Sequence, residues 1–249
     1  MNTDHIVSSF DNALNKNESL ILEMGGQVEQ QLALATRALQ KEDAKLSKKV
    51  VTNHNRISAI EAEINASAIQ LLALRHPVAV DLRNVVMSLR IAGHLERIGQ
   101  YTKNMARRTH TITKADAFTG SIDTLARMSD LVQSMIRSAL DAYNNRDVEI
   151  AEDVRGEDES VDQMHNTLFR ELLTYMMEDP RNISGSMHLL FIAKNIERMG
   201  DHTAEIAQEV IFMVTGNWPT DKRAKGDKTS RMIFSPEDLD IRPDTKDQG

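Results

Sequence analysis

Four carboxylates in the second half of the sequence have a spacing that can bind metal ions. Glu197 and Asp201 lie four residues apart, and Asp158 and Asp162 have the same spacing. Residues four apart share one face of an α-helix, so two antiparallel helices would present paired acidic columns to each other. Iron, manganese, magnesium, calcium or zinc bound to carboxylate oxygens would relieve the repulsion between these charges. We therefore predict a metal site formed by Asp158, Asp162, Glu197 and Asp201.

The alternative interpretation of these carboxylates is a solvated helix face, where acidic side chains are usually found. The equivalent positions in the first half of the chain hold His54, Ser58, Glu96 and Gln100, which include a single carboxylate. A metal site would therefore belong to the second half alone. The chain has no Cys, so any metal ligand must be an oxygen or an imidazole nitrogen.

Other residues with metal-binding or catalytic potential form less complete patterns. Asp162 and His165 have the carboxylate-x-x-His spacing of ferritin-like di-iron bundles, which use two such pairs and two further glutamates, and the sequence has one pair. A carboxylate-bridged, iron-storing protein is therefore the alternative function. His202 points about 100° away from Asp201 on a helix, which leaves it at most a supporting role. There is no glycine-rich phosphate loop or nucleophile motif, so we expect neither an enzyme nor an organic cofactor.

The sequence segments that contain these residues belong to an internal repeat. The sequence LRIAGHLERIGQYTKNMA (89–106) aligns with LFIAKNIERMGDHTAEIA (190–207), and eight of the eighteen positions are identical. The apolar stripe of residues 57–71 recurs 104 residues later. Gly99 and Gly200 occupy the same mid-helix position, where glycine is unfavourable, so we expect a neighbouring helix to approach closely at both.

The apolar spacings of three and four predict six amphipathic helices, three in each half. They cover residues 6–41, 43–75, 79–109, 122–145, 148–178 and 184–215. The sequence thus predicts an all-α fold, a tandem repeat of two antiparallel three-helix bundles with an elongated shape. We place the first bundle at 1–110, the second at 119–216 and a flexible, disordered C-terminal tail at 217–249, where prolines and mixed charges replace the apolar pattern.

Composition narrows the classes of partner. The net charge of −7 argues against direct nucleic-acid binding, which needs a basic surface. The longest apolar stretches are too short for a transmembrane segment, and the N-terminus has no signal-peptide pattern, so we expect a cytoplasmic protein. A scaffold bound at the membrane surface through amphipathic helices is a further alternative, and the acidic charge disfavours it.

Several of these motifs resemble the PhoU family of phosphate-signalling proteins. The resemblance rests on HLERIGQYTKN and NIERMGDHTAEIA, together with MGGQVEQQL (24–32), RHPVAVDLR (75–83) and LLTYMMEDPR (172–181), and it runs over residues 5–216. It implies two three-helix bundles and frequent homodimers. It also implies a negative regulator of the phosphate-starvation response, which couples the ATPase subunit of a phosphate ABC transporter to a sensor histidine kinase through protein contacts and modulates phosphate uptake and homeostasis.

The resemblance also bears on the metal site. Family members carry paired Glu/Asp-x-x-x-Asp motifs that bind metal clusters, and Asp158 with Asp162 and Glu197 with Asp201 match this pattern. The first-half pairs, His54 with Ser58 and Glu96 with Gln100, depart from it. The resemblance therefore implies metal in the second repeat only.

Overall fold

The computed structural model describes residues 3–75, 79–109, 111, 118–221, 226, 227 and 229, and within these ranges the chain is helical with no strand. The predicted all-α fold is confirmed, and each predicted helix is present with ends within three residues of the expected ones. The helices are α1 (Thr3–Lys41), α2 (Ala44–Arg75), α3 (Ala79–Thr109), α4 (Thr119–Asn145), α5 (Val148–Glu178) and α6 (Ile183–Thr215), with a 3-10 turn at Pro180–Asn182 before α6.

The turn between the first two helices of each repeat is also duplicated. Glu42 and Arg146, 104 residues apart, both adopt the left-handed conformation, with φ of 50° and 58°. Each is followed by an aspartate that caps the next helix: Asp43 accepts hydrogen bonds from the N–H groups of Lys45 and Leu46, and Asp147 does the same two and three residues ahead. These caps satisfy N–H groups that the helix itself cannot pair.

All six helices contribute to one large hydrophobic core, and a separate small cluster of Ala68, Leu71 and Val85 lies in the first repeat. Within each repeat the three helices all pack against one another, and the two repeats join through α1 against α4 and α3 against α6. Buried apolar side chains from all six helices belong to the same cluster, among them Met24, Ile57, Leu95, Val132, Leu168 and Ile196. The tandem, elongated arrangement follows from helices of 27 to 39 residues packed lengthwise. The domain boundaries at 1–110 and 119–216 remain a prediction.

Close helix approach at Gly99 and Gly200 is confirmed. A Cβ atom at Gly99 would lie 3.1 Å from Ile57 Cδ1, and one at Gly200 would lie 3.0 Å from Asp158 Oδ1. Both distances are shorter than ordinary van der Waals contact, so a larger side chain would push α2 or α5 outward. At Gly200 the neighbour is one of the predicted metal ligands.

Beyond α6, the described residues of the chain contact the helices. Gly216, with φ of 75°, ends α6, and its N–H donates to the carbonyl of Phe212. Trp218 stacks on Phe212 with ring centroids 4.4 Å apart, and Asp221 accepts hydrogen bonds from the buried Arg155 of α5. The described residues of the predicted tail therefore contact the helices, and the rest of 217–249 lies outside the described residues. None of the helices in the described ranges has the length and apolar character of a membrane span.

Candidate metal centre

The four predicted ligands lie where α5 and α6 face each other. Asp158, Asp162 and Glu197 have 1%, 2% and 4% of their surface exposed, and Asp201 is half-buried. The alternative interpretation, a solvated helix face, is therefore wrong for three of the four side chains. We refer to these four residues as the acidic cluster.

Residues 226 and 227, the C-terminal segment, lie over the acidic cluster. The N–H of Gly226 donates to Asp162 Oδ2 at 2.7 Å, and Asn166 Nδ2 donates to the Gly226 carbonyl at 2.7 Å. Lys194 Nζ lies 2.6 Å from Asp227 Oδ2 and 2.8 Å from Glu197 Oε1, so one ammonium group joins the segment to the cluster. The burial of Asp162 thus depends partly on a residue 64 positions away in sequence.

Burial leaves negative charge in this cluster incompletely compensated. Burial raises the pKa of Glu197 to about 7, although Lys194 opposes this, and it also raises the pKa of Asp162. For Asp227, burial alone would raise the pKa, but hydrogen bonds from Lys194 and Thr229 hold it well below its usual range. Glu197 Oε2 is buried and accepts no hydrogen bond from any described residue. The cluster therefore has unused capacity for a proton or a cation.

The carboxylate ligands of the acidic cluster suit a hard cation, but their oxygens are too far apart to bind one ion together. Carboxylate oxygens are the ligands that magnesium, manganese and iron prefer. Among the described residues, however, no three carboxylates of the acidic cluster place one oxygen each within 4.8 Å of the others. A cation bound to all four carboxylates would have to displace Lys194 or shift the C-terminal segment. The structure thus brings the four predicted residues into one buried region without forming a finished coordination shell.

The first-repeat counterpart of the cluster has a different character. His54 is buried, its Nε2 lies 3.4 Å from Glu96 Oε1, and Gln100 donates a hydrogen bond to Asn104. Burial and the nearby Lys103 both lower the pKa of His54, which favours its neutral form. With one carboxylate and a neutral imidazole, this position has much less need of a cation than the acidic cluster.

His165 does not complete a di-iron site. Its ring is buried and its Nδ1 lies 3.6 Å from Asp227 Oδ1, so it faces the C-terminal segment. The sequence pattern around Asp162 and His165 could not anticipate this neighbour, because residue 227 lies beyond the last helix.

Sequence reasoning also missed a basic cavity between α3 and α6. Its volume is about 540 Å³, and Arg107, Arg108, Lys194 and Arg198 contribute to its wall. The three arginines form no ion pair with a carboxylate among the described residues. In a chain of net charge −7, such a concentration of guanidinium groups without a carboxylate partner in the described part of the chain marks a surface suited to anionic groups.

Comparison with known proteins places this architecture in a family. The PhoU domain matches residues 21–109 and 125–210, one match in each repeat. The phosphate-specific transport system accessory protein PhoU homolog of Caulobacter vibrioides is 42% identical over 229 residues, which cover 92% of this chain and all of that protein. The protein of the same description from Rhizobium meliloti is 42% identical over 93% of this chain and 98% of its own length.

Solved structures agree with the sequence comparison. The crystal structure of PhoU from Pseudomonas aeruginosa superposes with a TM-score of 0.79 at 34% identity, covering 84% of this chain and all of that one. The phosphate transport system regulatory protein PhoU from Streptococcus pneumoniae gives a TM-score of 0.77 at 25% identity, over 84% of this chain and 99% of its own. With its duplicated three-helix unit, both motif copies and relatives that match along nearly their whole length, this chain belongs to the PhoU family.

Proposed function

We propose that this chain is an accessory regulator of phosphate transport that acts by binding other proteins. The observation that carries the proposal is the 42% identity, over 92% of the chain, to a phosphate-specific transport system accessory protein. A shared fold alone would not require identity at this level, because core packing constrains mainly buried residues and tolerates exchange among apolar ones. The proposed role is regulatory rather than catalytic.

The finer form of the proposal is a negative regulator in the cytoplasm that couples the ATPase subunit of a phosphate transporter to a sensor histidine kinase. Deletion of the gene in its host should derepress phosphate-responsive genes at high phosphate, and the wild-type gene should restore repression. Expression that is unchanged by the deletion would contradict this role.

An apolar stripe on α6 supports a protein-binding role. Ile183, Met187 and Phe191 are spaced four apart, and each exposes between 40% and 46% of its surface. The guanidinium group of Arg108 lies 4.1 Å from the centre of the Phe191 ring, so the stripe borders the basic cavity. Exposed apolar side chains in a row beside cationic groups are typical of protein contact surfaces. We propose that this stripe contacts the transporter's ATPase subunit.

The stripe can be tested by pull-down of the purified ATPase subunit with the full chain. The double variant Met187→Ser plus Phe191→Ser should weaken binding at least tenfold, because it removes the apolar anchors. Ile69→Ser is the matched control, since Ile69 is 63% exposed on α2 away from the stripe. If both variants bound the ATPase subunit equally well, the proposed contact through the stripe would be wrong. If the wild-type chain bound the kinase and not the ATPase subunit, the stripe would instead be a candidate contact surface for the kinase. If the wild-type chain bound neither protein, the coupling role itself would be wrong.

We also propose that the acidic cluster binds a divalent cation. Asp158, Asp162, Glu197 and Asp201 would hold it, and the ion would supply the positive charge that the buried carboxylates lack. Elemental analysis of manganese- or iron-loaded protein tests this: Glu197→Ala plus Asp201→Ala should lose stoichiometric metal, and Glu96→Ala should retain it. An iron store would instead take up many ions per chain, which the same measurement distinguishes.

Homodimer formation, which the family resemblance implies, is proposed on that basis alone. Light scattering during size-exclusion chromatography would report twice the monomer mass of 28.0 kDa if it is correct.

A further inference from the structure

Two histidines from different repeats meet between α3 and α6. His94 Nδ1 and His202 Nδ1 are 2.9 Å apart, and Glu205 Oε2 lies 3.2 Å from the first nitrogen and 3.5 Å from the second. Among the described residues, His94, His202 and Glu205 form the single group in which three ligand atoms come within 4.8 Å of one another. These residues are separate from the acidic cluster and contain nitrogen donors that the cluster lacks.

A buried carboxylate orients the first imidazole. Glu209 is 1% exposed, and its Oε1 lies 3.1 Å from His94 Nε2 and 2.6 Å from Arg90 Nε. A carboxylate paired with arginine accepts hydrogen bonds, so Glu209 favours the tautomer of His94 that carries its proton on Nε2, and in this tautomer Nδ1 presents a lone pair. This arrangement, in which a carboxylate holds the outer nitrogen of a histidine, is the one that supports metal-bound histidines in proteins.

The second imidazole is also held in place. The ring of His202 stacks against Tyr101, with centroids 5.7 Å apart and planes inclined by 25°. Its Nδ1 faces the lone pair of His94, and one hydrogen bond between the two nitrogens accounts for the 2.9 Å separation. Replacing that shared proton by a cation needs only a small movement, because two nitrogens bound tetrahedrally to zinc are about 3.3 Å apart.

We propose that His94, His202 and Glu205 bind a zinc ion, or another divalent transition-metal ion that prefers imidazole ligands. Two imidazole nitrogens and one carboxylate oxygen form a common zinc ligand set, with a water molecule as the fourth ligand. The side chains of His94 and His202 are 16% and 22% exposed, and Glu205 is half exposed, so an ion can reach the site from solvent. The bound ion would tie α3 of the first repeat to α6 of the second. This inference does not depend on the proposed function.

The internal repeat provides a counterpart that cannot bind the ion. At the offset of 101 residues, His94, His202 and Glu205 correspond to Asn195, Tyr101 and Asn104, and Glu209 corresponds to Arg108. Amide and phenol groups with an arginine nearby are poor ligands for zinc. We therefore expect one zinc ion per chain at the α3–α6 contact.

The test is calorimetric titration of the full, chelator-stripped chain with zinc chloride, accompanied by thermal unfolding. At this site the wild type should bind one zinc ion, and it should unfold at a higher temperature when zinc is present, because a ligand that binds only the folded state stabilises it. His94→Gln and His202→Gln should each lose at least tenfold in zinc affinity. Glu209→Gln, which removes the orienting carboxylate, should lose about tenfold.

A control variant and a spectroscopic measurement separate this site from others on the chain. His188→Gln removes a histidine of α6 outside the site, and it should bind zinc as the wild type does. Cobalt binding can be measured on the wild type alone. Intense visible absorption by the bound cobalt indicates four-coordinate binding that includes nitrogen ligands. Zinc affinity unchanged in both histidine variants, or a wild type that binds no zinc, would overturn the proposal.

Discussion

Among single residues, His54 shows how one position differs between the repeats. It occupies the place in α2 that Asp158 takes in α5, and it is 3% exposed. The groups that face it are Glu96, 3.4 Å away, and the cations Lys103 and Arg107 on α3. Burial is the largest cause that lowers its pKa, and the two cations lower it further, whereas a hydrogen bond with Gln100 raises it. The first repeat thus buries a neutral ring where the second buries a carboxylate.

The lowered pKa of His54 predicts a pH-dependent stability. Below about pH 6.5 the unfolded chain protonates this histidine while the folded chain does not, so the free energy of unfolding should fall as pH drops from 6.5 toward the lower folded pKa. His54→Gln should reduce this slope between pH 7 and pH 5, measured by urea unfolding. At pH 8 His54 is neutral in both the folded and the unfolded chain, so the difference in free energy of unfolding between wild type and variant there reports packing alone. Parallel pH profiles for the wild type and the variant would contradict the prediction.

Two helix glycines, Gly99 and Gly156, predict opposite effects from the same substitution. Gly99→Ala should destabilise the protein by about 1–3 kcal/mol, because the added methyl group meets Ile57 at 3.1 Å. A methyl group at Gly156 in α5 would meet no described side chain within 4 Å, so Gly156→Ala should stabilise by about 0.5–1 kcal/mol. Chemical denaturation measures both. A stabilising Gly99→Ala would show that α2 and α3 separate easily.

Among the elements, the C-terminal segment covers part of the acidic cluster. Gly226 and Asp227 meet carboxylate and ammonium groups of α5 and α6 at distances of 2.6 to 2.7 Å. A segment held by a few polar contacts opens more readily than a packed helix. Without the segment, the carboxylates of the cluster would therefore be more exposed to solvent.

Removal of residues 221–249 should expose the cluster and strengthen cation binding. Without Asp227, Lys194 pairs with Glu197 alone, and Asp162 loses the hydrogen bond from Gly226. We expect the manganese affinity of the truncated chain to rise several-fold over that of the full chain, as measured by calorimetry. The point variant Asp227→Asn should give a smaller change in the same direction. A weaker affinity after truncation would indicate that the segment itself supplies ligands.

In the molecule as a whole, the two repeats behave as one packed body. Leu95 in the first repeat and Ile196 in the second belong to the same buried cluster, and α3 packs along α6. Separating the repeats would expose much of this apolar surface to water, which is unfavourable. The sequence duplication therefore does not imply two independent folding units.

This continuity predicts a single unfolding transition. Trp218, the one tryptophan of the chain, stacks on α6, so its fluorescence reports the second repeat, while far-ultraviolet circular dichroism reports all helices. The two signals should change together in denaturant. Leu95→Ala, a change in the first repeat, should shift the midpoints of both transitions by the same amount. It should lower the free energy of unfolding by about 2–5 kcal/mol. A tryptophan transition that stays at its wild-type midpoint in this variant would show that the repeats unfold separately.

Local signals in the sequence were sufficient to predict the helices, the duplication and the family. Helix periodicity and the repeated motif need no tertiary information, so six helices and their ends within three residues could be predicted from them. The four carboxylates of the acidic cluster were also identified, because a spacing of four on one helix is a local property.

The neighbours of those residues became known only from the packing of the helices. Spacing could not reveal that residues 226 and 227 cover the acidic cluster, because the chain returns to α5 after passing the end of α6. It could not pair His94 with His202 either: they are 108 residues apart, and the rotation of α3 against α6 is set by how their side chains interdigitate. The sequence therefore contained the candidate ligands one helix at a time, and packing between helices determined which of them lie together.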